Sequence, residues 1–559
     1  PRTSPPTGSP PSRSPAANSS SRRERPLAGP RPPMEARRGG VPDPLLVDGR
    51  SLTEAGFHAV ARHGRRVGLA PEAGPALERG RAAVERVVAA GAPVYGVTTG
   101  FGALSDRSIP PDQVRELQRS LVESHASGVG PPLPREIVRG LVLLRANSLA
   151  PGLSGVRPEV VERLIEYLNR DLVPWVPEAG SVGASGDLAP LAHLARTLLG
   201  EGAFVDPSGR AVPAGEFLPK EGLAPLRLVA KEGLALINGT ALMTSYLALA
   251  VDDLERLLRA ALIAAALVYD ALRGSPDALA DRWGELRHSP EERAVAGSMR
   301  RLLMGSELAT ERSEWTGQDP YTLRCIPQVL GSVRHALKFG REILDGELNA
   351  VTDNPVLFDD GAFHSGGNFH GQSLALALDT LAIAVQTVAG FSERRVSRLA
   401  HPALNRGLPA FLAPDPGLSS GFMIPQTVAA ALVNEGSTLV HPASAASLPT
   451  SADQEDFVSM GAWAGAKLRR MLENSRRVVA IEWIMAGQAL ELRRPAVGGS
   501  GSEAALAALR RRVAPWAQDR SPADDIARVA DAIADGSLVG EVEQQAPFWE
   551  PIGIPPAPG

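Results

Sequence analysis

Apolar residues recur every three to four positions along most of this chain, which is the spacing of helices that bury one face. The pattern predicts helices over residues 112–124 and 161–168. It predicts four long helices farther along, over residues 240–272, 328–344, 372–399 and 468–492. Shorter helices are expected from residue 502 onward. Long helices joined by Gly- and Pro-rich loops, without alternating strands, predict a mainly α fold built as a long-helix bundle.

The same pattern suggests a division of the chain. We expect a disordered Pro-, Ser- and Arg-rich tail over residues 1–42, since its composition cannot form a core. Met34 is a candidate start. An N-terminal domain over 43–240, a central bundle over 241–500 and a short helical tail over 501–559 are expected to follow. The first 33 residues lack an apolar stretch, so they do not read as a secretory signal.

Composition narrows the classes of function. A net charge of −4 over 559 residues provides no basic field for nucleic acid. The single cysteine, Cys325, excludes an internal disulfide framework and favours a cytoplasmic location. Residues 371–392 are the strongest candidate for a membrane span, with Asp379 as the only charge. They are rich in Ala, Thr and Gln, so a buried bundle helix is favoured over a membrane span, and no membrane partner is expected.

Residues 180–187 read Gly-Ser-Val-Gly-Ala-Ser-Gly-Asp and carry the most informative chemistry. Because Gly186 has no side chain, its backbone nitrogen can come close to the carbonyl carbon of Ala184. Attack there, with loss of one water and of the Ser185 hydroxyl as a second, would close a 4-methylidene-imidazol-5-one (MIO) ring. Its exposed CH2 carbon is an electrophile, whereas most side chains that form covalent intermediates are nucleophiles. The sequence therefore predicts attack by an amine.

The same triplet recurs at residues 126–128, and a simple turn of small residues is the alternative for either copy. Only the first copy is followed by an apolar helical pattern, through Leu188, Leu191 and Leu194. That placement sets the triplet at a helix N-terminus, where aligned N–H dipoles favour electron-rich carbonyl oxygens. The flanks favour residues 184–186 as the reactive copy.

Four other side chains have suitable chemistry. Tyr95 lies among three glycines, as expected of a loop over a site; it could act as a general base if its pKa fell from about 10, or be a packed aromatic. Asn238 precedes Gly-Thr and could donate to a ring carbonyl or cap a helix. Tyr321 and Arg324 would share a helix face, and Arg324 could grip a carboxylate or form a surface ion pair. His370 has no partner at metal-ligand spacing, so no metal is expected.

Together these segments resemble the aromatic amino acid ammonia-lyases that use MIO. The matching motifs are Ala184-Ser185-Gly186, the Tyr95 loop, Asn238-Gly239-Thr240, Tyr321-Thr322-Leu323-Arg324, Glu347-Leu348-Asn349, Thr352-Asp353-Asn354-Pro355 and residues 366–370. The resemblance covers about residues 45–492. It implies a fumarase/aspartase-like helical chain that assembles as a D2 homotetramer, with each active site drawn from three subunits.

The resemblance also implies a role for each matching position. Ala184, Ser185 and Gly186 would become MIO, with no external cofactor. Tyr95 would remove the β-proton, Asn238 would hydrogen-bond the prosthetic group, Tyr321 and Gln318 would line the site, Arg324 would anchor the carboxylate, and Phe369 would lie beside the ring.

Two positions suggest the substrate. His125 and Glu455 match the histidine members of the family. A carboxylate in a closed site favours a ring N–H donor and would be left unpaired by a phenyl ring, while His125 can exchange hydrogen bonds with the other ring nitrogen. Thr98 departs from the asparagine of many histidine members. The expected reaction converts L-histidine to trans-urocanate and ammonia, and a lyase or aminomutase acting on tyrosine or phenylalanine is the alternative.

Two other classes are disfavoured. Residues 417–421 fit the Gly-x-Ser-x-Gly elbow of serine hydrolases, but Pro414 and Pro416 precede them where that elbow needs a strand. A non-catalytic helical scaffold would have no reason to combine the ring-forming triplet with Tyr95 and Arg324.

Overall fold

The computed structural model describes residues 43–102, 106–309 and 318–553. The tail predicted over residues 1–42 lies outside these ranges. The α-helices are α1 Glu54–Ala61, α2 Ala73–Ala90, α3 Val114–His125, α4 Arg135–Leu149, α5 Pro158–Arg170, α6 Leu188–Leu198, α7 Ala214–Lys220, α8 Glu232–Ile237, α9 Ala241–Ala271, α10 Asp281–Leu286, α11 Pro290–Leu302, α12 Tyr321–Arg324, α13 Ile326–Glu347, α14 Gln372–Ala400, α15 Met423–Leu439, α16 Gly461–Glu491, α17 Ser500–Arg510, α18 Ala523–Ala534 and α19 Ser537–Gln545. The mainly helical fold expected from the sequence is confirmed.

Strands are short and peripheral. They are β1 Leu45–Val47, β2 Val67–Leu69, β3 Val129–Pro132, β4 Pro177–Ala179, β5 Ala203–Val205, β6 Ala211–Pro213, β7 Val356–Leu357 and β8 Phe363–His364. They form four two-stranded pairs, of which β1–β2 is parallel and the others are antiparallel. Such pairs do not form a layer, so the core is made by helices.

Three long helices form the centre of the bundle. Helix α9 is rich in Ala and Leu and is buried around nearly its whole circumference, as expected of a central helix. Helices α14 and α16 pack on it and on each other. Their polar side chains are paired internally: Trp483 donates from Nε1 to the Ala260 carbonyl at 2.8 Å, and Arg395 forms a fully buried ion pair with Glu482.

Helix α14 is the one helix in the described ranges that is long and apolar enough to cross a membrane. It packs against α9, α13 and α16, and its Asp379 forms a buried ion pair with Lys467, 2.5 Å away. A charge paired inside the protein is the arrangement of a core helix. The sequence-based interpretation of residues 371–392 as part of a buried bundle helix agrees with this packing.

The three central helices run in one direction. At their N-terminal end, added Cβ atoms on Gly371 and Gly461 would both meet the Met243 side chain, within 2.5 Å. At their C-terminal end, Arg493 donates to the carbonyls of Ala271 and Asn405. Since α9 has 31 residues and rises 1.5 Å per residue, the two ends are about 45 Å apart.

Candidate active site

The Ala184-Ser185-Gly186 triplet forms a tight turn at the N-terminal end of the bundle. Gly183, Ser185 and Gly186 have φ of 80°, 52° and 78°, and the Gly186 N–H donates to the Gly183 carbonyl at 3.3 Å. A Cβ at Gly186 would lie 2.2 Å from the Gly239 carbonyl oxygen, so only glycine fits there. The left-handed Ser185 is in a costly conformation for a residue with a side chain. The turn is therefore compact and held by its surroundings.

Asp187 fastens this turn between two helices. Its backbone N–H donates to the Gly239 carbonyl at 2.7 Å, and it directly precedes α6. Its Oδ2 accepts from the N–H groups of Leu242 and Met243, at 2.8 and 3.0 Å, at the start of α9. Burial raises the pKa of Asp187 to about 7 despite these bonds. The carboxyl can thus hold or release a proton near neutral pH.

Asn238 follows α8 and lies beside the turn through its neighbour Gly239, which pairs with Gly186. Its Nδ2 donates to Asp353 Oδ1 at 3.1 Å and to the Asn354 carbonyl at 3.0 Å. Its Oδ1 is buried and has no partner among the described residues. Because both amide protons already donate to these two oxygens, the group that Asn238 has left to offer is an acceptor. The sequence had suggested a donor at this position.

The Tyr95 loop packs over the same region. The Tyr95 hydroxyl accepts from the Gly102 N–H at 3.1 Å, and its ring meets Phe101 edge-on with centroids 6.4 Å apart. A Cβ at Gly96 would lie 2.2 Å from the Leu234 side chain of α8, so the loop lies directly against the helix that leads to Asn238. Tyr95 itself is half-buried, which leaves its hydroxyl within reach of a ligand.

His125 and Glu455, the two candidates for substrate recognition, lie close enough to influence each other electrostatically, and Glu455 lies beside this loop. Glu455 Oε1 is 3.7 Å from the position that a Cβ would take on Gly102. Burial lowers the pKa of His125, while the nearby Glu455 carboxylate opposes that change. Glu455 Oε2 is buried without a partner among the described residues. An unpaired buried carboxylate oxygen is costly unless a ligand donates to it.

Thr98 is buried and its hydroxyl is bonded within its own loop. It is 4% exposed, and its Oγ1 donates to the Ala92 carbonyl at 2.6 Å and accepts from the Val94 N–H at 2.9 Å. Both bonds are internal to the start of the Tyr95 loop. The threonine that stands here in place of asparagine therefore stabilises the fold of the loop.

The turn over residues 366–370 leads into α14 at the same end of the bundle. Its Gly366 N–H donates to Asn354 Oδ1 at 2.7 Å, beside the residues that hold Asn238. His370 Nε2 lies 3.1 Å from the Phe457 carbonyl, two residues beyond Glu455. Phe369 is half-buried in this turn. No group of three or more His, Cys, Asp or Glu in the described ranges is placed to hold a metal.

Gln318, Tyr321 and Arg324 lie at the opposite end. The Arg324 guanidinium is 4.5 Å from the centre of the Tyr321 ring, which confirms that the two share a face of α12. Neighbouring Asp319 binds Arg406, which in turn donates to the Leu272 carbonyl at the end of α9. Tyr321 is 68% exposed. Within one chain these residues are far from the Ser185 turn, so one chain does not contain the whole set expected from the sequence.

Two buried residues of this region had no role assigned from the sequence. Gln118 accepts at Oε1 from the N–H groups of Gly233 and Leu234, at 2.9 and 3.2 Å, and donates to the Gly96 carbonyl at 3.5 Å. Lys231 binds Asp353 at 2.5 Å with both side chains fully buried. A signal for Gln118 existed, since it is the polar residue on the buried face of α3; no comparable signal marks Lys231.

The serine-hydrolase alternative gains no support. Residues 417–421 lie before α15, and the element directly before them is a short helical turn, Ala410–Leu412, and not a strand. An elbow of that kind requires a strand, so Ser419 lacks the setting of a nucleophile.

The mainly helical fold, with the Ala184-Ser185-Gly186 turn at one end of its bundle, is that of a helical lyase, and the comparisons agree. A family model described as aromatic amino acid lyase matches residues 52–511, and the chain belongs to that family. It is 50% identical to a histidine ammonia-lyase of Symbiobacterium thermophilum over 89% of this chain and 98% of the relative. It is 45% identical to a histidine ammonia-lyase of Treponema denticola over 90% and 99%.

Two solved structures are similar over most of their length. Histidine ammonia-lyase from Trypanosoma cruzi has a TM-score of 0.83 at 39% identity, covering 90% of this chain and 96% of that one. Tyrosine aminomutase from Streptomyces globisporus has a TM-score of 0.85 at 37% identity, covering 90% and 99%. The fold is thus shared by relatives with different named activities, so the choice of substrate depends on the residues of the site.

Proposed function

We propose that this protein is an L-histidine ammonia-lyase, which converts L-histidine to trans-urocanate and ammonia. The observation that carries the proposal is Glu455 Oε2, a buried carboxylate oxygen without a partner among the described residues, in the region of His125 and the Tyr95 loop. The imidazole ring has an N–H that can pair with Glu455 and a second nitrogen within the reach of His125. The high identity to curated histidine ammonia-lyases supports the same substrate.

The residues of the turn fit the MIO group. A glycine is required at Gly186 by the approach of the Gly239 carbonyl, and Gly183, Ser185 and Gly186 already have the left-handed backbone of a tight turn. Ala184, Ser185 and Gly186 would supply the ring atoms, so no external cofactor is needed. When formed, the group supplies an electrophilic carbon for the substrate amine.

The chain's own side chains bind the substrate and move its proton. Glu455 and His125 hold the imidazole, and Arg324 pairs with the carboxylate through two parallel hydrogen bonds. The Tyr95 oxygen accepts the β-proton, after which the bond to nitrogen breaks and the carbon–carbon double bond forms. Gln318, Tyr321 and Phe369 line the remaining walls.

The site is completed by other copies of the chain, in a D2 homotetramer. Support comes from the distance of about 45 Å that separates the ends of α9, because Arg324 cannot reach the Ser185 turn of its own chain. Exposed apolar side chains on the long helices offer contact surfaces, among them Leu376, Ile383, Ile424, Val428 and Trp463. The enzyme is proposed to act in the cytoplasm on a small molecule, without a nucleic-acid or membrane partner.

A panel of amino acids tests the proposal. Purified enzyme receives L-histidine, L-tyrosine or L-phenylalanine, and the products are separated and identified. We expect urocanate from histidine and neither coumarate nor cinnamate from the others. Coumarate, cinnamate or a β-amino acid as the main product would overturn the assignment in favour of a lyase or aminomutase for another aromatic substrate.

A further inference from the structure

The orientation of the Asn238 amide is determined by its neighbours. Its two contacts on the Nδ2 side, Asp353 Oδ1 and the Asn354 carbonyl oxygen, can only accept hydrogen bonds when Asp353 is charged. A flipped amide would oppose oxygen to oxygen at both contacts. The network therefore assigns Nδ2 to this side and leaves Oδ1 as the free group.

Asp353 is held in place by three donors. Lys231 Nζ lies 2.5 Å from Oδ2, and the Asn354 N–H donates to Oδ1 at 2.7 Å, in addition to the Asn238 amide. Lys231 and Asp353 have no side-chain exposure, so solvent does not weaken their attraction. Lys231 is itself in a left-handed conformation with φ of 76°, which the surrounding structure must enforce.

The backbone of Asn238 is fixed as well. Fully buried Arg145 donates from Nη1 to the Asn238 carbonyl at 2.7 Å, and a Cβ on Gly239 would lie 2.4 Å from the same guanidinium nitrogen. Neither the main chain nor the amide of Asn238 is free to turn. The unpartnered Oδ1 is thus a fixed acceptor, buried next to the Ser185 turn.

We propose that Asp353, held by Lys231, is a positioning residue that makes Asn238 present its carbonyl oxygen to the substrate's amino group. This inference rests on the proposed function, since it names the contact made by the amine at the same site. The MIO group has carbonyl and imine acceptors but no N–H, whereas the substrate's amine carries N–H donors that suit Oδ1. The Thr352-Asp353-Asn354-Pro355 motif thereby has a role in amine recognition.

Ligand binding without turnover is the first test. In a Ser185→Ala background, calorimetry measures the affinity for L-histidine and for imidazolepropionate, which lacks the amine. Asp353→Asn should weaken histidine binding about tenfold, the size of one lost hydrogen bond to a charged group, and leave imidazolepropionate unchanged. Asp359→Asn, an exposed neighbour, is the control and should change neither affinity. Equal weakening of both ligands, or of neither, would overturn the inference.

A side-chain exchange is the second test, with intact mass confirming loss of two waters in each variant. Asn238→Asp alone sets two carboxylates together and should lower kcat/KM about 100-fold. In Asn238→Asp/Asp353→Asn, Asn at 353 can accept from Lys231 and donate to Asp at 238, so an acceptor again faces the substrate. The N–H and carbonyl of Asn354 then each face a like group, so recovery is expected to be partial. We expect at least tenfold recovery over Asn238→Asp.

The exchange distinguishes whether position 238 must accept or must donate a hydrogen bond in the site. If position 238 had to donate a hydrogen bond, the double variant would have no N–H there and would stay as inactive as Asn238→Asp, which would contradict the proposal. Each comparison uses whichever amino acid the wild-type enzyme deaminates. A failure of the histidine assignment would thus appear in the wild-type panel, separately from this result.

Discussion

Single residues at this site are held in conformations and protonation states that they would not adopt in solution. Ser185 has a left-handed backbone, Asp187 has its pKa raised to about 7, and Glu455 has a buried oxygen with no partner in the part of the chain that the structure describes. Each costs folding free energy, and each is maintained by packing around it. Such costs concentrate where a protein performs chemistry.

Tyr95→Phe tests the assigned base. Phenylalanine keeps the edge-on contact with Phe101, so the loop should stay in place while the proton acceptor is lost. General-base assistance is typically worth about 10²–10⁴-fold, and kcat should fall by at least the lower figure. Steady-state kinetics with L-histidine measures it. Wild-type turnover in this variant would show that another group takes the proton.

Glu455→Gln tests the imidazole contact. The amide keeps the shape of the side chain but removes the charge that strengthens a hydrogen bond from the ring N–H. The value of kcat/KM for histidine should drop about 10- to 100-fold, with the larger part in KM. Asp456→Asn, the exposed neighbour, is the matched control and should behave as wild type. Equal kinetics for the Glu455→Gln and Asp456→Asn variants would show that Glu455 does not contribute to substrate recognition.

At the scale of elements, short segments are held by side chains from other segments. Helix α8 has six residues, too few to be stable alone, and Gln118 of α3 accepts from two of its first N–H groups. The same side chain donates to Gly96. Gln118 therefore links the helix that ends at His125, the helix that leads to Asn238, and the Tyr95 loop.

Gln118→Leu should disturb this linkage. The substitution fits a buried helix face but leaves the Gly233 and Leu234 N–H groups unpaired, at a cost of about 1–3 kcal/mol. We expect a lower melting temperature and a fall in kcat/KM, because the Tyr95 loop and Asn238 lose a common support. Gln113→Leu, on the exposed start of the same helix, provides the comparison. Matching melting curves and kinetics for the two variants would rule out the linkage.

The sequence predicted the long helices well because apolar periodicity depends on burial. Helix α9, expected over residues 240–272, spans Ala241–Ala271. Helix α16 begins at Gly461, seven residues before the predicted 468, because Gly461 and Gly465 pack closely on Met243 and Tyr246. The spacing of apolar residues does not reveal glycines that allow two helices to pack closely. It also does not reveal strands of only two or three residues.

The sequence suggested candidate residues for the site but not their arrangement. Tyr95, His125, Asn238, Glu455 and the triplet are gathered at one end of the bundle, as chemistry suggested. The polarity of the Asn238 amide could not be read from sequence, because it depends on Asp353 and Asn354, more than 110 positions away. The sequence near Arg324 also cannot show whether this residue lies at the same end of the bundle as the Ser185 turn. That depends on the directions in which the long helices run.

At the scale of the whole molecule, the residues proposed for the site lie at the two ends of the bundle. The Ser185 turn lies where α9 begins and Arg324 lies near the end where α9 finishes, about 45 Å farther along. A symmetric assembly can bring the first end of one chain against the second end of another. The exposed ring of Tyr321, beside Arg324, is consistent with a surface that becomes covered in that way.

Mixed tetramers test this arrangement. Tyr95→Phe and Arg324→Ala chains are each expected to be nearly inactive alone. When they are co-expressed and assemble at random, about one site in four combines the intact Tyr95 of one chain with the intact Arg324 of another. Activity should recover to about a quarter of wild type. A site made within one chain would always lack one group, and the mixture would then be as inactive as its parents.

The most direct test of the account is the intact mass of the purified chain, measured together with deamination of L-histidine in wild type and Ser185→Ala. The wild-type mass should be lower than the sequence mass by two water molecules, and urocanate should form. Ser185→Ala should keep its full mass and lose deamination. A wild-type chain at full mass, or undiminished deamination by Ser185→Ala, would contradict a self-made electrophile at this turn.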